Sequence, residues 1–338
     1  MINTMDAPMP WFGGKRKVAS EVWEMFGDVQ NYVEPFFGSG AVLLGRPTSH
    51  LGYCETVNDK DFFIANFWRA VKNEPDAVAE YADNPVNEAD LSARQIWLVK
   101  HAMPELEKRI PADINYYDAK VAGWWVWGIC CWIGSGWCSG SGPWTEQDGK
   151  LVNLRDNGDA GRGVNRKRVH LGDAGQGVNR QNAELTGWMN DLSARLANVR
   201  VCCGDWQRVV TNGALTYGST VGIFLDPPYD LGIRSDGLYN QDSHNLAQDV
   251  LEWCVTNGDN PRYKIALCGY DGEHNKLETM GWSSYSWVAG SSYQSKNGGV
   301  NGDNRKLERI WFNANCLSKQ TAQYQLFGED QDNLWEQE

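Results

Sequence analysis

An apolar run, VGIFL (221–225), ends abruptly in Asp226, Pro227, Pro228 and Tyr229. Two successive prolines stop a strand and stiffen the chain beyond it. A carboxylate and an aromatic ring are thereby held at a strand tip. Such an acid can accept hydrogen bonds from a substrate N–H, and such a ring can cover a flat base. Two further strand ends carry the same kind of chemistry. Asp205 and Trp206 follow VRVCC (199–203), offering an acceptor for an exocyclic amine and an indole that could lie on a purine. Phe37-Gly38-Ser39-Gly40 follows the apolar run NYVEPF, where glycine lets backbone amides approach a ligand closely. Asp59 lies 19 residues beyond Gly40, about where an acid ending a second strand would grip a ribose; a structural turn is the alternative. Leu43 stands where the dinucleotide fingerprint needs its third glycine, which disfavours a nicotinamide dehydrogenase.

The elements that must position these residues alternate. WFGGK opens the chain's first glycine turn, and VASEVWEMF is amphipathic. A strand, a glycine loop, a helix and then an acid make the opening pattern of a nucleotide-binding α/β domain. Residues 65 to about 110 read as helical, and AKVAGWWVWGICCWIG as a buried apolar element. Leu185, Trp188, Met189, Leu192 and Leu196 recur at helical spacing. Strands are expected at 199–203, 221–225, 264–268 and 307–312, with a helix at 246–255. This texture predicts an α/β, Rossmann-like, doubly wound and mostly parallel sheet, interrupted by a helical and loop-rich insert. The expected divisions are 1–64 and 183–316 for one discontinuous catalytic domain, 65–182 for the insert, and 317–338 for an acidic tail. In an open sheet of this kind the acids at the strand ends converge on one crevice.

Trp11-Phe12-Gly13-Gly14-Lys15, then Glu34-Pro35-Phe36-Phe37-Gly38-Ser39-Gly40, then Asp226-Pro227-Pro228-Tyr229, in that order, resemble the S-adenosylmethionine-dependent DNA adenine-N6 methyltransferases. The order is similar to that of their alpha group, the Dam-like or D12 class. The resemblance implies methyl transfer to the N6 amino group of a flipped adenine by direct in-line displacement. It implies catalytic roles for Asp226, Pro227, Pro228 and Tyr229. Trp11 and Lys15 would lie beside the cofactor, with Phe36, Gly38 and Gly40 along its methionine half and Glu34 among its contacts. Asp59 would hold the ribose hydroxyls, and Asp205 with Trp206 the cofactor adenine. Core packing is the alternative for Trp11 and Phe36, and a solvated charge for Lys15. A cytosine-N4 enzyme, which commonly shows Ser at the first position of the motif, is the nearest rival. A protein-glutamine enzyme, which commonly shows Asn, is another, and an inactive DNA-binding protein of the same fold is a rival of a different class.

The insert holds GDAGRGVNR (158–166) and GDAGQGVNR (172–180), a near repeat of period 14. Residues 153–182 carry six Arg or Lys against three Asp, a net +3 in a chain whose formal charge is −12. Arg155, Arg162, Arg166, Lys167, Arg168 and Arg180 are candidates for contacting double-stranded DNA, with Asn165 and Asn179 for reading base edges; a flexible surface loop is the alternative. Similar segments occur in phage-type members of the family, so a phage or prophage origin is expected. In the tail, Gln323-Tyr324-Gln325-Leu326-Phe327 resembles a bacterial sliding-clamp-binding pentapeptide; hydrophobic docking of the tail is the alternative.

The 338 residues are 42% hydrophobic and 22% charged, an ordinary globular composition that excludes a wholly disordered chain. No run reaches transmembrane length, and the opening residues have no signal-peptide core, so a soluble, intracellular protein is expected. A cytoplasmic place in a bacterial or phage-infected cell, and a monomer, are expected besides. Nine cysteines include no CxxC and no zinc-type pairing with histidine. They read as buried thiols, and no metal is expected.

Overall fold

The computed structural model describes residues 5–11, 14–47, 53–132, 136–138, 144–147, 150–153, 167–168, 172–173, 182–229, 241–287 and 308–317. Helix α1 (Ala19–Phe26) buries Val22, Trp23, Met25 and Phe26 and stops at Gly27, whose φ of 59° suits glycine. Strand β1 (Asn31–Glu34) is buried throughout, although it begins and ends on polar residues. Asn31 Nδ2 donates to the Ala214 carbonyl at 3.1 Å, and Tyr32 Oη donates to Glu34 Oε2 at 2.8 Å. These bonds supply partners for buried polar groups.

The short α2 (Ala41–Leu44) leads to β2 (Cys54–Asp59) and then α3 (Phe62–Asn73). Asp61 caps α3, accepting from the amides of Phe63 and Ile64 at 2.8 and 3.3 Å. Helices α4 (Pro75–Ala82), α5 (Glu88–Trp97), α6 (Met103–Arg109) and α7 (Ala119–Cys131) follow, with a π turn at Leu98–Ala102 between α5 and α6. The tryptophan-rich apolar stretch is thus helix α7, capped by the Asp118 carboxylate on the Val121 amide at 2.9 Å. Two antiparallel ribbons come next, β3 (Trp144–Gln147) with β4 (Lys150–Asn153) and β5 (Lys167–Arg168) with β6 (Gly172–Asp173). Then come α8 (Asn182–Leu196), β7 (Val199–Cys203), β8 (Val221–Leu225), α9 (Gln241–Asn257), β9 (Tyr263–Tyr270), α10 (Asn275–Glu278), β10 (Ser283–Ser286) and β11 (Glu308–Phe312).

Seven strands form one sheet in the order β10-β11-β9-β8-β1-β2-β7. The five from β9 to β7 are parallel, while β11 runs antiparallel to both β9 and β10. Successive residues face opposite sides, as the pleat requires. Tyr32, Phe224, Ala266, Cys268, Ile310 and Phe312 enter one core, while Val33, Ile223, Leu225, Ile265, Leu267 and Trp311 enter the other. The sheet is covered on both faces, which is the doubly wound arrangement expected from the sequence. Strands β7 and β8 coincide with the segments read as strands. Strand β10 carries no legible signal because Ser283-Ser284-Tyr285-Ser286 is an exposed edge with no apolar alternation.

The boundary expected at residue 65 falls inside α3, and α3 is bound to the sheet. Arg69 Nε donates to the Val201 carbonyl at 3.2 Å and Lys72 Nζ to that of Val199 at 2.8 Å. Arg69 Nη1 also reaches the carbonyls of Ile110, Asp113 and Tyr116, so one buried guanidinium joins the helical region to the strand edge. A second tie is made by Glu55 on β2. Glu55, 2% exposed, accepts from Arg46 Nη1 at 2.9 Å and from Arg195 Nη1 at 2.7 Å. Burial pushes its carboxyl up, but the two guanidinium groups outweigh burial and hold it below the ordinary range.

Candidate active site

Strand order reverses between β1 and β8, so the loops leaving their carboxyl ends diverge and open a crevice. A cavity of about 530 Å³ lies there. Trp11, Lys15, Glu34, Phe36, Gly38, Asp59, Asp205, Trp206, Asp226, Pro227, Pro228 and Tyr229 all line it. The residues proposed from separate motifs are therefore brought to one place. Gly40 stands one step back. It precedes α2 with φ of 71°, and a Cβ there would meet the Phe37 ring at 2.8 Å. Gly38, at φ 48°, is pressed against Trp11, whose Nε1 would lie 2.5 Å from an added Cβ. Only glycine lets this turn pass between the indole and the cavity.

The first and second strand ends are bonded to each other. Asp59 Oδ2 accepts from the Gly38 amide at 2.9 Å, and Oδ1 accepts from the Asp61 amide at 2.9 Å. Burial, and next the charge of Asp61, raise the Asp59 carboxyl to about 7 despite these two bonds. At the third strand end, Asp205 Oδ1 accepts from the Gln207 amide at 2.9 Å and opens a 3₁₀ turn. That turn seats Trp206 beside Phe36, with ring centroids 6.1 Å apart and planes 28° from parallel. The two stacked rings give one end of the cavity an apolar wall.

At the other end, Tyr229 Oη donates to Asp226 Oδ1 at 2.8 Å, and Lys15 Nζ lies 3.0 Å from the same oxygen. Lys15 is 5% exposed, so it is not a solvated charge. Burial alone would lower its pKa; the charges of Asp226 and Glu308 outweigh that and raise it. Its ammonium also sits 5.1 Å from the Tyr229 ring centroid and 5.7 Å from that of Trp287. Tyr229 in turn meets Tyr270 edge to face at 4.8 Å. Burial, and after it the charge of Asp226, push the Glu34 carboxyl well above its ordinary range, against the Tyr32 hydroxyl that donates to it.

Phe224, Leu246, Asp249, Tyr270 and Glu308 also line the cavity but were not singled out from the sequence. Glu308 had a usable signal. It follows Leu307 in LERIWF and opens β11, and the first residue of an antiparallel strand lies at the same sheet edge as the last residue of its parallel neighbours. Arg155, Arg162, Asn165, Arg166, Asn179, Arg180 and the segment 323–327 lie outside the described residues. Lys167 and Arg168 form β5, of which the backbone pairing with β6 is described. Among the described residues no group of three or more His, Cys, Asp or Glu could hold a metal ion. All nine cysteines are free thiols. No helix of the described residues is long and apolar enough to cross a membrane.

A seven-stranded, mostly parallel sheet in this order, with a glycine turn and acids at the strand ends around one crevice, is a Rossmann-like methyltransferase fold. Residues 11–118 match the family model of the D12 class N6 adenine-specific DNA methyltransferases. The likeness carried by the two glycine motifs is thereby borne out over that span. No curated protein sequence matches the chain.

Proposed function

We propose that this chain transfers the methyl group of S-adenosylmethionine to the N6 amino group of adenine in DNA. The observation that carries the reading is the position of Asp226 and Tyr229, on a proline-stiffened strand tip, in the same cavity as the Gly38–Asp59 pair. The residues present fit the cofactor. Asp59 suits a pair of hydroxyls, and the Phe36–Trp206 wall suits a purine. When bound, the cofactor supplies an electrophilic methyl group on a sulfonium.

The adenine amino group is a poor nucleophile because its lone pair is delocalised into the ring. Asp226 and the Pro227 carbonyl, accepting its two hydrogens, favour a pyramidal nitrogen with the lone pair aimed at the methyl group. The two prolines hold that carbonyl in place, so little reorganisation is needed in the transition state. Tyr229, braced by Tyr270, offers a face for a base rotated out of the duplex. In this reading 1–64 and 183–316 form the catalytic unit, with the rest of α3 bonded to its sheet, and the remainder of 65–182 serves target recognition. Its basic glycine-rich part holds double-stranded DNA, and Gln323–Phe327 in the acidic tail is a contact for a bacterial sliding clamp.

The test is methyl transfer to DNA followed by nucleoside mass spectrometry. N6-methyladenine is the expected product. N4-methylcytosine would favour the cytosine enzyme, and DNA binding without a methylated product would favour an inactive member of the fold.

A further inference from the structure

Lys15 Nζ stands between two carboxylates, 3.0 Å from Asp226 Oδ1 and 3.7 Å from Glu308 Oε2. Glu308 is 7% exposed, and among the described residues no donor lies within hydrogen-bonding distance of its Oε2. A buried carboxylate oxygen in that condition is costly, and it faces the cavity in which the Lys15 ammonium sits. Asp226 is in the opposite condition. Tyr229 Oη and Lys15 Nζ both converge on its Oδ1. The acceptor that a substrate amino group needs is therefore already engaged by two internal donors.

Resting on the methyltransferase reading, we infer that Glu308 is a second seat for the Lys15 ammonium. Lys15 moves from Asp226 to Glu308 when the target amino group arrives, and Glu308 thereby acts as a positioning residue for Asp226. The movement required is small. Closing 3.7 Å to the roughly 2.8 Å of a charge-assisted hydrogen bond shifts the ammonium by under about 1 Å. The rings of Tyr229 and Trp287 flank the ammonium, so it can exchange carboxylates without entering water. Each position satisfies one carboxylate at the expense of the other, and an incoming N–H donor on Asp226 tips the balance. The ligand-free site thus keeps its acid paired, and the substrate releases it.

The test is a double-mutant cycle with Glu308→Gln and Lys15→Met, read as kcat/KM for DNA and, separately, as cofactor Kd. Glu308→Gln should lower kcat/KM for DNA about 10- to 100-fold, the range of side chains coupled in one ion-pair network. Cofactor Kd should stay the same, and Glu308→Asp should recover much of the loss. In the Lys15→Met background, Glu308→Gln should cost nothing further. Additive losses, or an unchanged kcat/KM in Glu308→Gln, would overturn the inference. A second readout needs no activity. The Lys15 Cε resonance of 13C-lysine-labelled protein should differ between wild type and Glu308→Gln; identical resonances would overturn the inference on their own. A wild-type chain that transfers no methyl group to adenine would sink the functional reading, and the resonance comparison would still decide whether Lys15 senses Glu308.

Discussion

The Gly38 amide donates to Asp59 Oδ2 at 2.9 Å, so the glycine turn after the first strand is tied to the acid ending the second. A ligand lying across this turn meets a backbone bend that cannot carry a side chain and a carboxyl poised near neutrality. Both features come from neighbouring parallel strands, whose register places Glu34 opposite Val57, two residues short of Asp59.

Asp59 should make cofactor binding depend on pH. Its carboxyl is raised from 3.8 to about 7, so it is neutral in mild acid and becomes a full acceptor only as pH rises through about 7. Calorimetry from pH 6 to 8 should show S-adenosylmethionine affinity rising in wild type and flat in Asp59→Asn. At pH 8, Asp59→Ala should weaken binding by about 1.5–3 kcal/mol, the scale of charge-assisted hydrogen bonds to hydroxyls. Stability runs the other way. A carboxyl raised in the fold favours folding while protonated, and that advantage is lost between its unfolded value and about 7. Without cofactor, the Tm of wild type relative to Asp59→Asn should therefore fall across that window.

Asp226→Ala should retain cofactor binding and lose at least about two to three orders of magnitude in methyl transfer, as expected for removing a positioned acceptor. Single-turnover methylation with saturating cofactor is the measurement, and near-wild-type turnover would reject the assigned role.

The Arg46–Glu55–Arg195 cluster should matter for folding alone. Arg195→Met removes one of two guanidinium partners from a carboxylate that is 2% exposed. Breaking a buried ion pair from one side typically costs about 3–5 kcal/mol. Because the Glu55 carboxyl is held low in the fold, its contribution is present above its unfolded pKa and is lost on acidification. Urea unfolding at pH 7 and at pH 4 should show a larger deficit for Arg195→Met at pH 7. Cofactor Kd measured on the folded fraction should not change.

Arg162 and Arg166 should weaken DNA binding when replaced by Ala, with cofactor affinity unchanged. Each phosphate no longer neutralised should reduce the slope of log affinity against log salt by about 0.9. Asn165 and Asn179 should instead alter which sequence is methylated, at about 1–3 kcal/mol for a bidentate pair. A salt series paired with methylation-site sequencing separates the two effects. If neither slope nor site preference moves, target recognition belongs to another part of the insert.

The cavity-lining acids Asp59, Asp205 and Asp226 were legible in the sequence because the signals that place them are local. Apolar runs of five or six residues end in glycine, proline or an acid, and a parallel sheet gathers those ends at one edge whatever the connections between them. The helical texture of 65–110 and of 184–196 was legible for the same reason. Tertiary structure alone decided the pairing at the far end of the cavity. Positions 15, 226 and 308 belong to a turn near the start, a central strand tip and the last strand, and no spacing rule relates them. They meet because β11 runs against its neighbours and brings the beginning of one strand to the ends of the others. Whether Lys15 would be a surface charge or a buried ammonium between two carboxylates was likewise undetermined until the fold closed over it. Burial and the charges around a group depend on which distant segments pack against it, and those contacts exist only in the folded chain.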